Sequence, residues 1–211
     1  MKSISILVTV LLLAQAFAQY KQMIDISEEI NDPECFTKDK DVIVLRAFDS
    51  VGRVDPNLAK NIAKLANYTR ELWVYMLPCY SCGNPQKQVQ AVLDAIKNVR
   101  VDFVYIEVQG SKWDKDHAKN RGFVKAIADV IRPLSSKRAG IFTSQPHWKH
   151  IMGLDCSEFN DLHLWYEHAD GSIEHKDFLP FGGWKVPTAK QYTQGKEYCN
   201  NTARFDSVKT A

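Results

Sequence analysis

Short apolar runs alternate with amphipathic stretches along most of this chain. Residues 42–48 (VIVLRAF) read as a buried strand, and a shorter apolar run at 23–26 precedes them. Asp55-Pro56 then supplies an N-cap and a first-turn proline, with Leu58, Ile62 and Leu65 at helical spacing. Residues 73–77 form the next strand. Asn84-Pro85 opens a second helix whose Val89, Val92, Leu93 and Ile96 share a face. Residues 101–108 are a strand. Phe123, Ile127, Val130 and Ile131 mark a third helix, stopped by Pro133. Residues 139–143 and 162–166 are strands separated by a short helix around Trp148. Beyond Tyr166 the helical period fades. Glycine, proline and aromatics take over, with short strands expected at 188–192 and 203–205.

Strand–helix alternation at this spacing predicts an α/β fold with a largely parallel sheet covered by helices. The strands number about eight and the helices fewer. The expected architecture is therefore an irregular closed (β/α) barrel, similar to a TIM barrel but short of helices. A doubly wound open sheet is the alternative, but no G-x-G-x-x-G follows the first strand. No linker, repeat or low-complexity segment divides the chain. The last five or six residues are expected to fray.

The N-terminus changes the expected address. Lys2, an apolar run from Ile4 to Ala14 and Ala16-Phe17-Ala18 read as a signal peptide over residues 1–18, too short to span a membrane. A single domain over 19–211 follows, secreted to the outside or to a gut lumen. The net charge of +2 and the lack of a basic run argue against nucleic acid, and no later segment is apolar enough to span a bilayer. Asn67-Tyr68-Thr69 and Asn200-Asn201-Thr202 are glycosylation acceptors at Asn67 and Asn200. Five cysteines leave one unpaired in an oxidising compartment. Cys79 and Cys82 have the spacing of a redox or zinc motif, but no further ligand set follows, so a local disulfide is expected and no metal or cofactor. Cys35 follows the first strand and Cys199 precedes the last. These strands adjoin in a closed barrel, which pairs Cys35 with Cys199 and leaves Cys156 free.

In a β/α barrel the chemistry lies at the carboxyl ends of the strands. Polar residues expected there are Asp25, Arg46, Glu107, Gln109, Glu167 and Arg204. On the 101–109 strand, Val104, Ile106 and Val108 face the helices, while Phe103, Tyr105, Glu107 and Gln109 face inward. Two carboxylates so placed can cleave a glycosidic bond; here the second group is an amide. Phe48, Tyr80, Trp113, Phe142, Trp148, Trp165 and Tyr192 lie near strand ends and favour a saccharide cleft, although each alone is more often core.

These residues resemble the nematode and amoebal branch of the glycoside hydrolase family 25 lysozymes. The matching strings run along nearly the whole mature chain: Arg46-Ala47-Phe48 and Asp55-Pro56-Asn57, Val74-Tyr75-Met76 and Pro78-Cys79-Tyr80-Ser81-Cys82, Gly140-Ile141-Phe142-Thr143-Ser144, Leu164-Trp165-Tyr166, Pro180-Phe181-Gly182-Gly183-Trp184, and Lys190-Gln191-Tyr192. The resemblance implies an irregular β/α barrel that hydrolyses the β-1,4 bond between N-acetylmuramic acid and N-acetylglucosamine in peptidoglycan. It also implies an Asp near the first strand, an Asp-x-Glu pair whose Glu is the general acid, and an Asp near the last strand.

Carried over position by position, the first Asp is Asp25. The Asp-x-Glu pair falls on Glu107-Val108-Gln109, and the last Asp on Arg204. Arg46, Tyr75, Phe142, Trp165 and Tyr192 are the expected substrate contacts. In a shifted register Glu107 would be the acid and Tyr105 would replace the Asp. Asp206 stands in for the last Asp if its strand extends that far. The expectation is a secreted, monomeric lysozyme-like protein of defence or digestion, acting on peptidoglycan or a related oligosaccharide with weak or no hydrolysis. A non-catalytic glycan-binding or partner-binding protein is the alternative.

Overall fold

The computed structural model describes residues 20–210; the leader expected at 1–18 lies outside them. In chain order the elements are β1 (Tyr20–Ile26), α1 (Pro33–Thr37), β2 (Val42–Asp49), β3 (Arg53–Val54), α2 (Leu58–Lys64), β4 (Glu71–Met76) and α3 (Pro85–Ala95). Then come β5 (Phe103–Glu107), α4 (His117–Ile131), β6 (Arg138–Thr143), α5 (Gln145–Met152), β7 (His163–Glu167), β8 (Ala189–Gln191), β9 (Lys196–Tyr198) and β10 (Asn201–Lys209).

Strands β1, β2, β4, β5, β6, β7, β8 and β10 close into an eight-stranded barrel through the β1–β2 pairing. From β1 to β8 the neighbours run parallel. β10 runs antiparallel to both β8 and β1. The short β3 and β9 are hairpin additions to β2 and β10. The mixed α/β barrel with fewer helices than strands is thus the one the alternation predicts.

Strand parity sorts the two cores. Met23, Val44, Trp73, Tyr75, Phe103, Tyr105, Phe142 and Trp165 fill the barrel interior. Ile24, Leu45, Val74, Val104, Ile106, Ile141 and Leu164 lie in the outer core with the helices. The interior is unusually aromatic. Phe142 stacks on Trp165 with ring centroids 3.8 Å apart, and Trp73 meets Phe103 at 4.5 Å. Room for the Tyr105 ring comes from its neighbour Gly140, where a Cβ would lie 2.2 Å from that ring.

Several expectations are corrected. A bulge between Arg46 and Phe48 sends Phe48 to the outer core, away from the barrel mouth. Trp148 is also outer core, 4.8 Å from Trp184. Asp55 does not cap α2. Its carboxylate is held by Arg46 Nε at 2.5 Å and by the backbone N–H of Asn57 at 2.8 Å, and the helix starts later, at Leu58. The chain end does not fray where expected, because β10 is paired on both edges and continues to Lys209, with Val208 buried.

No helix links β7 to β8, as the fading period implied. Buried Lys190 on β8 ties that loop down, donating to Asp170 at 2.9 Å, Asp177 at 2.7 Å and the Glu174 carbonyl at 3.0 Å. Cys35 pairs with Cys199 and Cys79 with Cys82, while Cys156 is free and buried.

Two stability outcomes follow. Gly140→Ala should lower unfolding stability by about 1–3 kcal/mol in urea titrations, because the methyl must displace a ring that is packed on all sides. Replacing both Cys35 and Cys199 by Ser should cost about 3–5 kcal/mol on the chain-entropy model, since that bridge closes a loop across 164 positions. An unchanged midpoint in either titration would contradict the packing or the bridge.

Candidate functional site

The barrel mouth gathers Asp25 from β1, Arg46 from β2, Glu107 from β5, Glu167 from β7, Gln191 from β8, and Arg204 and Asp206 from β10. The parallel strands contribute their carboxyl ends. β10 runs the other way, so its early residues reach the same mouth. In register, Arg204 lies opposite Asp25, and Asp206 lies opposite Met23, one inward step deeper. Asp206 therefore shares the inward face with Arg204, and its strand does extend far enough.

Asp25 and Asp206 are almost fully buried. Asp25 accepts from Gln191 Nε2 at 2.8 Å and from Arg204 Nη1 at 3.1 Å. Asp206 accepts from the Trp165 indole N–H at 2.9 Å. Its other oxygen has no donor partner among the described residues, and its neighbour there is the Asp25 carboxyl. Two carboxylates in contact under burial cannot both ionise. Burial pushes the Asp206 carboxyl well above the usual range, with the charge on Asp25 adding to the effect. Burial also raises Asp25, against the opposing pull of Arg204. Both carboxyls are thus held above the usual range, and Asp25 is the one that faces the Arg204 guanidinium. Arg204 is itself held protonated, chiefly by Asp25.

Glu107 ends β5 beside this group. Burial pushes its carboxyl up to about 7; Arg204 pulls the other way, and Asp25 and Glu167 reinforce burial. The group can therefore hold or release a proton near neutrality. Gln109 stands two residues on. Its side-chain N–H₂ is buried without an acceptor among the described residues, and its backbone carbonyl accepts from the Trp113 indole at 2.9 Å. Glu107 and Gln109 both open onto a cleft of about 400 Å³, walled by Ser50, Pro78, Lys112, Trp113 and His147.

The expected substrate contacts divide. Tyr75, Phe142 and Trp165 are buried in the barrel core beneath the acids and do not line this cleft. The alternation that turns them inward also seals them under the ring of polar residues. Arg46 is committed to Asp55. Tyr192 is half-buried beside the strand that carries Asp206. The aromatic that does line the cleft is Trp113. Gln191, Lys112 and His147 went unassigned in the sequence. For Gln191 a signal existed: an amide at an inward position of a short strand needs a polar partner inside the barrel.

His168, Asp170 and Asp177 offer ligand atoms within 4.8 Å of one another. The cation held there is already the Lys190 ammonium.

The family model described as lysozyme-like protein 1 matches residues 16–192. A Dictyostelium discoideum protein named "Probable GH family 25 lysozyme 5" is 32% identical over 83% of this chain and 85% of its own length. Lysozyme-like protein 5 of Caenorhabditis elegans is 30% identical over 88% of this chain and 90% of its own. Among solved structures, the modular autolysin LytC from Streptococcus pneumoniae, in complex with a synthetic peptidoglycan ligand, superposes with a TM-score of 0.72. It is 16% identical and is matched over 89% of this chain and 46% of that one, a likeness that speaks to the barrel. With the family model spanning most of its length and relatives aligned nearly end to end, the chain belongs to the lysozyme-like proteins of glycoside hydrolase family 25.

Proposed function

We propose that this chain is a secreted lysozyme-like protein of defence or digestion that binds bacterial peptidoglycan and hydrolyses it weakly or not at all. The observation that carries the reading is Gln109. It occupies the position of the expected general acid, faces the cleft, and cannot give a proton to a leaving sugar oxygen. The register that makes it so is supported by Tyr105, which in the shifted register would replace an acid but lies in the sealed barrel core. General acid catalysis typically contributes about 10² to 10⁴ in rate, so its loss leaves binding without fast turnover. Support for a peptidoglycan ligand comes from the family and from the ligand of the pneumococcal autolysin. Asn67 and Asn200 are exposed, as glycosylation in a secretory compartment requires.

One observation favours a second reading, in which Glu107 is the acid. Its carboxyl is pushed up to about 7, into the range a general acid needs. Two measurements separate these readings.

In a cell-wall turbidity assay, wild type should clear walls negligibly at catalytic concentrations. Gln109→Glu alone should stay slow, because Arg204, paired with Asp25, still stands where the resemblance expects an Asp. Gln109→Glu with Arg204→Asp should exceed either single variant by about 10²-fold, given that thermal melting shows it folded. Rapid lysis by wild type that Glu107→Gln abolishes would instead establish Glu107 as the acid.

The raised Glu107 carboxyl also sets a stability profile. The folded state keeps its proton up to about 7 while the unfolded chain loses it near 4.5. This group's contribution is fully present below that lower value and is lost as pH rises through 7. Glu107→Gln should therefore stabilise the protein at pH 8 by about 1–2 kcal/mol, less than the full linkage value because the mouth is open to solvent. At pH 4 the difference should vanish. Chemical denaturation at the two pH values reads this directly, and an equal effect at both would exclude a raised Glu107.

A further inference from the structure

A second groove, of about 240 Å³, opens at the same end of the barrel as the cleft. The first turn of α5 divides them: Gln145 and Pro146 line the groove, while His147 lines the cleft. Its apolar wall is Tyr166, Phe178, Leu179 and Phe181. Tyr166 and Phe178 meet edge to face at 5.1 Å, and Phe178 and Phe181 lie 5.7 Å apart. Leu179 caps this wall at 69% exposure, a large apolar side chain left in water beside a preformed aromatic surface. Glu167 and Asp177 stand at the groove's polar edge.

The charge of that edge is defined. Asp177 is held well below the usual carboxylate range, down to about 2, by Lys190, His168 and Tyr166 acting against burial. Asp170 is lowered as well. Glu167, Asp170 and Asp177 are three carboxylates against the one ammonium of Lys190, with His168 on Asp177 at 2.5 Å. The groove thus combines an apolar wall with an excess of negative charge. Lys190, from the protein's own side, already takes up Asp170 and Asp177, whereas Glu167 accepts only the neutral Gln194 amide at 3.2 Å among the described residues and stands without a cation at the groove. Glu167 also links the two openings, since it lines the groove and its charge acts on Glu107 in the cleft.

We propose that this groove binds the amine-bearing peptide arm of the peptidoglycan whose glycan strand occupies the cleft, an inference that rests on the proposed peptidoglycan ligand. A stem peptide joins apolar alanyl methyl groups to a diamino acid whose free side-chain amine is cationic. The methyl groups cover Leu179 and the aromatic wall, and the ammonium meets Glu167. A glycan strand alone offers no cation to this edge. The groove then selects peptide-bearing walls with free amines over bare or amine-blocked glycan.

The test is sedimentation binding of the full mature chain to three preparations of the same Gram-positive walls: intact, amine-acetylated, and stripped of stem peptides by an amidase. Wild type should bind intact walls about tenfold more tightly than either of the others, the scale of one charge-assisted hydrogen bond. Leu179→Lys, an exposed substitution that adds a competing cation, should erase that preference and leave binding to stripped walls unchanged. Glu167→Gln should erase the difference between intact and acetylated walls. Equal wild-type binding to all three overturns the peptide site and leaves the glycan reading standing. Binding to none overturns both. A Leu179→Lys variant that melts like wild type yet keeps the full preference for intact walls also overturns the peptide site.

Discussion

Asp25 and Asp206 are buried side by side where β1 meets β10, and the arrangement of the barrel mouth follows from the cost of placing two acids there. Burial penalises each charge, and contact penalises having both. The solution has three parts. Burial holds the deeper acid, Asp206, well above the usual carboxylate range. The Trp165 indole and the Gln191 amide satisfy the pair from within the barrel. Arg204 neutralises what charge remains on Asp25. Removing any one of these would leave a buried acid without compensation.

That arrangement bears on the cleft. Arg204 balances Asp25 and also lowers Glu107, so the charge at β10 and the proton affinity at β5 are not independent. A glutamine at 109 is consistent with such a mouth. It adds no further negative charge to a ring in which burial already raises the carboxyls of Asp25, Asp206 and Glu107. Under the proposed reading, an amide also keeps hydrogen-bonding contacts to a bound sugar while having no proton to give to a transition state.

The long β7–β8 connection depends on a different buried charge. Lys190 lies on β8 with no exposure, and its ammonium organises Asp170, Asp177 and the Glu174 carbonyl. Where a helix would ordinarily cover the barrel, this ion cluster and the Phe181–Trp184–Trp148 packing do so. The cost of burying an ammonium is met by complete pairing. The loop can therefore carry an exposed Leu179 and a shaped groove without losing its anchor.

By itself the sequence determined the fold class and most of the polar residues that the barrel mouth gathers. Strand periodicity and helix starts are local, so the alternation of elements was legible, as were the inward residues of β5 and the Asn84 cap. The amide at Gln109 was legible too, because residue identity at a strand end needs no tertiary information. Cysteine order and barrel closure together gave the two bridges. What only the tertiary structure decided depended on contacts between distant residues. A bulge after Arg46 turned Phe48 outward, and α2 began at Leu58, beyond Asp55, whose carboxylate is shared between Arg46 and the Asn57 N–H. Pairing on both edges kept β10 ordered to Lys209. Phe142 and Trp165 lie in the sealed core because inward-facing in a narrow barrel means buried below the mouth, and accessible only at its rim. The Asp25–Asp206 contact joins residues 181 positions apart, and no local pattern encodes which two strands a closed sheet will bring edge to edge.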